Sequence, residues 1–236
     1  MILGAAVAAF SSVGYVLMHG KAVPEAGQTP GYTAPPLPAS SSLRAAGSSS
    51  KVSNLRVAFL GDDYTLGTGA SSKAHRFTTL VSDELGVLET NVASNGAGYA
   101  KASPSGKIYG DLVSTVIAAK PDVVVVSGGR NDVYDSTATL GDAADTLFTT
   151  LHRRLPRATL IALRPFWGDS AHPSDLTPVD EAVRTAVKAA GGTFLDIGDP
   201  LRGHRRWMAD LADPNDRGYR ALAGALAPRL KAALHR

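Results

Sequence analysis

The sequence predicts a three-layer α/β/α domain, built on a doubly wound parallel sheet, over residues 53–236. Three observations support this prediction. Short apolar runs alternate with amphipathic segments from Leu55 onward, and the connections between them are short. The run DVVVVS at residues 122–127 is continuous and β-branched, which is typical of a parallel strand buried on both faces. Strands that alternate with helices favour a parallel sheet with helices on both faces.

Each element has its own signal along the chain. The first strand ends at Gly61, and Pro121 opens the third, because glycine and proline interrupt regular structure. The third helix carries apolar residues at helical spacing, and the pair Gly191-Gly192 ends the fourth. The predicted strands are 55–60, 87–92, 122–127, 158–163 and 193–197, and the predicted helices are 77–85, 110–119, 139–155, 179–190 and 216–234.

The composition excludes several classes of function. The chain has 236 residues, a formal net charge of +3 and no cysteine. Without cysteine it has no disulfide framework, no thiolate metal site and no cysteine nucleophile. Lysine and arginine are scattered, and the small cluster of Arg202, Arg205 and Arg206 is typical of a solvated face rather than a nucleic-acid footprint. We therefore expect no nucleic-acid partner.

Two N-terminal segments differ from the predicted domain. Residues 2–18 form an apolar run with few polar interruptions, which suits a signal peptide or a membrane anchor over residues 1–20. Residues 21–52 are rich in Pro, Ser, Ala and Gly and predict a flexible linker, because such a composition buries too little apolar surface to become ordered. This order of segments indicates an exported protein that is secreted or anchored in the cell envelope.

Four short motifs occupy the loops in which a doubly wound sheet binds ligands, beyond the carboxyl ends of its strands. The first reads GDDYTLGTGAS at residues 61–71, and the second reads NVASNGAGY at 91–99. The third reads GGRND at 128–132, and the fourth reads DLADPNDRGY at 210–219. An ordinary turn or helix cap explains each motif taken alone. Their shared order and position therefore carry the functional argument.

Together the four motifs resemble those of the SGNH (GDSL) hydrolase family of esterases and acyl hydrolases, whose fold is flavodoxin-like. That family carries Gly-Asp-Ser in the first motif and Asp-x-x-His-Pro in the last. In this sequence Asp63 stands at the serine position and Asp213 at the histidine position. Carboxylates thus replace both the nucleophile and the base, whereas a serine hydrolase needs a nucleophile that an adjacent base activates.

The resemblance also implies roles for other residues. Asn131 would present its side-chain amide to a developing oxyanion, and Gly96 would add a backbone N–H, with Gly98 as its rival for that position. Asp210 would orient the histidine of an intact triad, but here it has no histidine to orient. The resemblance implies no cofactor and no metal. The other histidines of the domain are expected on the surface, and His172 is the best candidate among them for a displaced base.

Three functional hypotheses remain open. The first is a pseudoenzyme that binds acyl- or ester-bearing carbohydrate or lipid of the cell envelope. The second is an active ester hydrolase with altered chemistry, in which Asp63 is the nucleophile or a carboxylate pair acts as acid and base. The third is a structural envelope protein with a vestigial cleft. Loss of both serine and histidine favours the first over the second, and retention of Gly96 and Asn131 disfavours the third. Membrane contact is expected through residues 1–20.

Overall fold

The structure is a computed structural model, and it describes residues 54–235. Its strands are β1 (Arg56–Gly61), β2 (Leu88–Ala93), β3 (Val123–Ser127), β4 (Thr159–Leu163) and β5 (Thr193–Leu195). Its α-helices are α1 (Asp63–Leu66), α2 (Phe77–Leu85), α3 (Tyr109–Ala118), α4 (Thr137–Arg154), α5 (Thr177–Ala189) and α6 (Asp216–Leu234).

The predicted three-layer, doubly wound α/β/α fold is confirmed. The five strands form one parallel sheet in the order β2-β1-β3-β4-β5. The direction of winding reverses between β1 and β3, and in sheets of this kind the crevice outside the carboxyl ends of the strands at that point binds ligands. The sequence pattern did not predict α1, because a helix of four residues is too short to show helical periodicity.

Side chains that alternate along the strands enter two separate cores. Leu60 and Val124 belong to the core that contains α3, α4 and α5, whereas Phe59 and Val125 belong to the core that contains α2 and α6. All five residues of β3 are buried, as its unbroken apolar run predicted. Successive side chains of a strand point to opposite faces of the sheet. Because β3 is buried at every position, helices must cover both faces.

The predicted signal peptide or anchor at residues 1–20 and the predicted linker at residues 21–52 lie outside the described residues. Within residues 54–235, no helix is both long and apolar enough to cross a membrane.

Candidate functional site

The first motif forms a tight turn at the carboxyl end of β1. A Cβ atom on Gly61 would overlap the carbonyl oxygen of Ser127, the last residue of β3, so the turn requires glycine here. Asp62 then caps α1, because its carboxylate accepts a hydrogen bond from the backbone N–H of Tyr64 at 3.1 Å. These two residues fix Asp63 as the first residue of α1, with 7% of its surface exposed.

The Asp63 carboxylate makes the central contacts of the site. Its Oδ1 accepts a hydrogen bond from the backbone N–H of Gly96 at 3.1 Å. Its Oδ2 accepts one from the side-chain amide Nδ2 of Asn131 at 3.3 Å. The same amide donates to the carbonyl oxygen of Ala97 at 2.9 Å, which fixes its orientation. The structure therefore joins Asp63, Gly96 and Asn131 in one hydrogen-bonded group, with the carboxylate between two donors.

A buried carboxylate holds the loop that carries Gly96. Asp132 is fully buried and accepts hydrogen bonds from three successive backbone N–H groups, at residues 99–101, over distances between 2.8 and 3.0 Å. A Cβ atom on Gly98 would overlap the Asp132 carboxylate. Gly98 thus permits close packing, whereas Gly96, at φ +75°, directs its N–H toward Asp63.

The loop before α6 carries Asp210 and Asp213. Asp210 is exposed, and its carboxylate accepts hydrogen bonds from the backbone N–H groups of Ala212 and Asp213, each at 2.7 Å. The Asp213 residue is 8% exposed, and among the described residues its buried Oδ1 has no hydrogen-bond partner. Asp210 therefore shapes the loop. The carboxylate of Asp213, in contrast, is buried with one oxygen that has no hydrogen bond to offset the loss of water.

Arg130 brings positive charge into the site and connects the third motif to the fourth. Its guanidinium donates a hydrogen bond to the carbonyl oxygen of Ala212 at 3.0 Å and lies 4.9 Å from the centre of the Tyr64 ring. The Tyr64 hydroxyl donates to the same carbonyl oxygen at 2.8 Å. Burial opposes the charged guanidinium, but the neighbouring tyrosine and carboxylates outweigh it and raise the pKa of Arg130. The side chain therefore stays charged.

Two carboxyl groups of the site have raised pKa values. Burial, followed by the charge of Asp63, raises the pKa of Asp62 to about 7. Burial also raises the pKa of Asp213 to about 6, where Arg130 opposes the shift and the charges of Asp63 and Asp210 add to it. Both effects disfavour the ionised form of a carboxyl group. Both carboxyl groups therefore keep their protons to a higher pH than an ordinary aspartate does, and Asp62 keeps its proton to a higher pH than Asp213.

Four of the five predicted site residues lie together in the folded chain, and the fifth does not. Asp63, Gly96 and Asn131 are in direct contact, and Asp213 is close enough for its charge to interact with that of Asp63. Asp210 stands apart, because the hydrogen bonds of its exposed carboxylate within the described chain go to the backbone of its own loop.

The expectation that His172 lies on the surface is wrong. Its side chain is 6% exposed, and its Nε2 lies 3.2 Å from a carboxylate oxygen of Asp180 on α5. Arg164 contacts the same oxygen at 3.2 Å. His172 is thus engaged with α5, and the described structure shows no hydrogen bond or ion pair between it and the five predicted site residues.

Two further residues of the site, Arg130 and Asp132, were not predicted from the sequence. A signal for Arg130 was available, because an arginine stands inside the third motif of a site that is otherwise rich in acidic residues. Asp132 had no comparable signal, since its role depends on the approach of residues 99–101 to the end of β3 in the folded chain.

A cleft of about 450 Å³ opens beside Arg130 and Asn131. Its walls include Tyr134, which is 94% exposed, and Leu211, which is 89% exposed. Trp167 also lines the cleft, and its indole N–H donates to the hydroxyl of a neighbouring serine at 3.0 Å. A wall of aromatic, apolar and polar groups suits a ligand that has both apolar faces and hydroxyl groups. In the part of the chain that the structure describes, no group of three His, Cys, Asp or Glu residues could hold a metal ion.

Comparisons with known proteins agree with this arrangement. A GDSL lipase from Mycobacterium tuberculosis is 27% identical over 195 residues, which cover 75% of this chain and 82% of that protein. Family two carbohydrate esterases from Clostridium thermocellum, in complex with cellohexaose, and from Cellvibrio japonicus have similar folds, with TM-scores of 0.63 and 0.64 at 18% and 17% identity. Each covers 77% of this chain, but the chain spans only 65% and 62% of their lengths.

The model of the GDSL-like lipase/acylhydrolase family matches residues 59–221. This range is more than half of the chain and contains all four motifs. The likeness to the carbohydrate esterases shows the fold alone, but the family match extends from β1 into α6. The chain therefore belongs to the GDSL-like lipase/acylhydrolase family, that is, to the SGNH hydrolases.

Proposed function

We propose that this chain is a non-catalytic SGNH-family protein that binds an acyl- or ester-bearing glycan of the cell envelope. One observation carries the proposal: the Asp63 carboxylate accepts hydrogen bonds from both Gly96 and Asn131. The family resemblance assigns these two donors to the oxyanion of an acyl-transfer reaction. A carboxylate that uses both donors leaves neither for a substrate carbonyl, and its negative charge repels the oxyanion that would form.

The family's nucleophile–base pair is also lost in this chain. Asp63 has no hydroxyl to deprotonate, and Asp213 has no imidazole to accept a proton. Because ester hydrolysis by this family would require both functions, we expect no turnover of ordinary esters. The cleft beside Asn131 keeps its aromatic and polar walls, which supports ligand binding rather than a vestigial site.

The first test is hydrolysis of a short-chain aryl acetate by the full chain and by the double variant Asp63→Ser, Asp213→His. The unsubstituted chain, the parent, should hydrolyse the ester no faster than buffer alone does. The double variant should exceed it by at least about 100-fold, because a serine activated by a base regains two donors for the oxyanion. The single variants are controls and should stay near the parent. Turnover by the parent that Asp63→Ala abolishes would refute the non-catalytic proposal.

Binding can be tested directly by calorimetry with acetylated xylo-oligosaccharides and chito-oligosaccharides as probes. Tyr134→Ala and Leu211→Ala should each weaken binding about tenfold, because each removes an exposed apolar wall of the cleft. Leu88→Ala is the matched control, since Leu88 is also exposed (59%) but lies on β2. Equal losses in all three variants would argue against this cleft as the binding site.

A second candidate function is an ester hydrolase with altered chemistry. The observation in its favour is the raised pKa of Asp213, about 6, because a general base works best when its pKa is near the working pH. Asp63 would attack the ester carbonyl to give a mixed anhydride, and a protonated Asp213 would donate its proton to the leaving alkoxide, which departs as the alcohol. Water, deprotonated by Asp213, would then hydrolyse the anhydride. The parent's own turnover in the aryl acetate assay separates this candidate from the binding proposal.

Export is part of the proposed function. It rests on the apolar run at residues 2–18 and the Pro/Ser-rich stretch that follows it. An epitope at the C-terminus of the full chain should be accessible to external protease in intact cells or appear in the medium. Recovery of the epitope in the cytosol alone would contradict the proposal.

A further inference from the structure

A second concave site lies at the opposite end of the sheet from the cleft. It has a volume of about 570 Å³ and is formed where β1, β3 and β4 begin. Its lining comes from the start of β1, from the α3–β3 connection, and from the end of α4 with the α4–β4 connection. The charged residues of this basic pocket are Arg56, Lys120, Asp122, Arg154 and Arg157.

The acidic residue of the pocket is already neutralised. The Asp122 carboxylate accepts hydrogen bonds from the Arg56 backbone N–H at 2.9 Å and from its guanidinium at 3.3 Å. These bonds lower the pKa of Asp122. Within residues 54–235, Lys120, Arg154 and Arg157 form no ion pair. Three cations, from the α3–β3 connection, the end of α4 and the α4–β4 connection, therefore share one concavity without a counter-charge from the described chain.

The backbone at Lys120 gives an independent indication that this charge is functional. Lys120 follows the end of α3 and has φ +48°, the only positive φ among the described residues other than glycine. Helices commonly end with glycine in this left-handed conformation, because a Cβ atom strains it. Strain of this kind clusters at ligand sites. A lysine at a position that favours glycine therefore places a positive charge here at a cost in backbone energy.

We propose that this basic pocket binds a phosphate group. Arginine guanidinium groups match phosphate oxygens in paired hydrogen bonds, and a lysine adds a compact charge. Arg56 of the pocket lies two residues after Asn54, the first residue that the structure describes. If residues 1–20 anchor the protein, an anionic phospholipid headgroup is the expected source of the phosphate. Inorganic phosphate is the other source with the same chemistry.

The test uses the full chain, with inorganic phosphate as the probe and chloride at matched ionic strength as the reference. Binding is measured by phosphorus NMR and by thermal unfolding. Binding to the unsubstituted chain should broaden the phosphorus resonance of phosphate and raise the melting temperature of the protein. The pair Arg154→Gln, Arg157→Gln should weaken binding at least about tenfold, because charge-assisted hydrogen bonds are lost. The matched control is Arg217→Gln, Arg220→Gln, which removes the same charge from α6 and should bind as the parent does.

Lys120→Gly separates binding from stability. Glycine relieves the strained backbone, so the melting temperature should hold or rise while phosphate affinity falls. A purely structural lysine would leave phosphate affinity unchanged, and that result would overturn the proposal. No advantage of phosphate over chloride, or equal losses in the α6 control, would overturn it as well.

Vesicles then distinguish the two sources of phosphate. If the source is lipid, vesicles that contain phosphatidylglycerol should bind the parent more tightly than vesicles of phosphatidylcholine alone, and the pocket variants should lose that difference. If the variants lose phosphate binding but keep the vesicle difference, the pocket takes soluble phosphate. Neither outcome depends on the cleft. The results of the esterase and glycan-binding assays are therefore independent of the results of the phosphate and vesicle assays.

Discussion

At the scale of single residues, the chemistry of this site depends on the carboxylate at position 63. A serine hydroxyl there would leave the Gly96 N–H and the Asn131 amide free for a carbonyl oxygen. The longer, bidentate carboxylate uses both donors itself. It also places negative charge beside Asp213 and Asp62, both of which have raised pKa values. One substitution therefore changes what the site can bind and also the protonation of its neighbours.

The raised pKa of Asp213 predicts how stability depends on pH. The folded value of about 6 lies above the value of about 3.9 for an aspartate in an unfolded chain. Between these values the folded state holds a proton that the unfolded state has lost, so stability falls as the pH rises through this window. A shift of this size corresponds to at most about 3 kcal/mol, and solvent screens part of it at the edge of the cleft. Asp213→Asn should therefore raise the free energy of unfolding by about 1 kcal/mol near neutral pH and by much less near pH 4. Urea denaturation across this pH range measures the effect.

Asp210→Asn is the matched control, because its carboxylate responds in the opposite direction. Backbone hydrogen bonds from Asp213 and Ala212 lower the pKa of Asp210, so its ionised form favours folding above the unfolded pKa. This variant should lose stability near neutral pH instead of gaining it. If Asp213→Asn follows the same pH profile as the parent, the Asp213 carboxyl is not perturbed in the folded state.

At the scale of elements, the site consists of loops that rigid strands hold in place. Gly61 allows the turn after β1 to approach the end of β3, and Asp132 fastens the loop after β2 to the loop after β3. Arg130 then joins the loop after β3 to the loop before α6. Each loop is bonded to the next, so the geometry around Asp63 depends on contacts between motifs that are far apart in sequence.

Asp132→Asn should lower the free energy of unfolding by about 2–4 kcal/mol. The amide N–H₂ of the asparagine would replace a carboxylate oxygen, so a buried backbone N–H would lose its acceptor and face another donor. Oδ1 of Asp132 accepts from two backbone N–H groups and Oδ2 from the N–H of Tyr99, so an asparagine can satisfy only one side. Chemical denaturation gives the size of the loss, and amide exchange at residues 99–101 should show where it occurs.

Asp111→Asn provides the comparison for that measurement. Asp111 also accepts a backbone hydrogen bond, from Ile108 at 3.0 Å, but it is exposed on the first turn of α3. Its loss should be below about 1 kcal/mol, because water replaces the bond at an exposed site. If both variants lose a similar amount of free energy of unfolding, the burial of Asp132 does not determine how much its hydrogen bonds stabilise the fold.

At the scale of the whole molecule, the sheet separates two sites of opposite charge. Carboxylates crowd the crevice at the carboxyl ends of the strands, and cations line the pocket at their amino ends. Both sites are built from connections and from the ends of strands and helices, whereas the two cores lie where helices pack against the faces of the sheet. Residues at these ends and connections can therefore differ from the family's pattern, as those at positions 63 and 213 do, without disturbing the packing that determines the fold.

The described part of the chain should fold without the predicted N-terminal segments. A chain that lacks residues 1–52 should unfold in one cooperative step, within about 2 °C of the full chain, because the buried clusters of the described residues extend from β1 to α6. Calorimetry of both chains tests this prediction. Deleting residues 226–236 is the control: it removes Leu226 and Leu230 from one core and should abolish the cooperative transition.

The fold and the identity of the motifs could be predicted from the amino-acid sequence alone. Strand and helix positions followed from hydrophobic periodicity and from glycine and proline, and these signals are local. The order of four motifs at strand ends placed Asp63, Gly96 and Asn131 in one region, because parallel strands end at the same edge of a sheet. The replacement of serine and histidine by aspartate was likewise readable from the sequence.

The contacts of those residues could not be predicted in the same way, because they form only when the chain folds. Hydrogen bonds and burial depend on side chains that are distant in sequence, so no local pattern could show that the Asp63 carboxylate takes both donors or that Gly96 rather than Gly98 faces it. The same holds for the burial of His172 against α5 and for the role of Asp132. The pKa values of the site follow from burial and crowding, and both exist only in the folded chain.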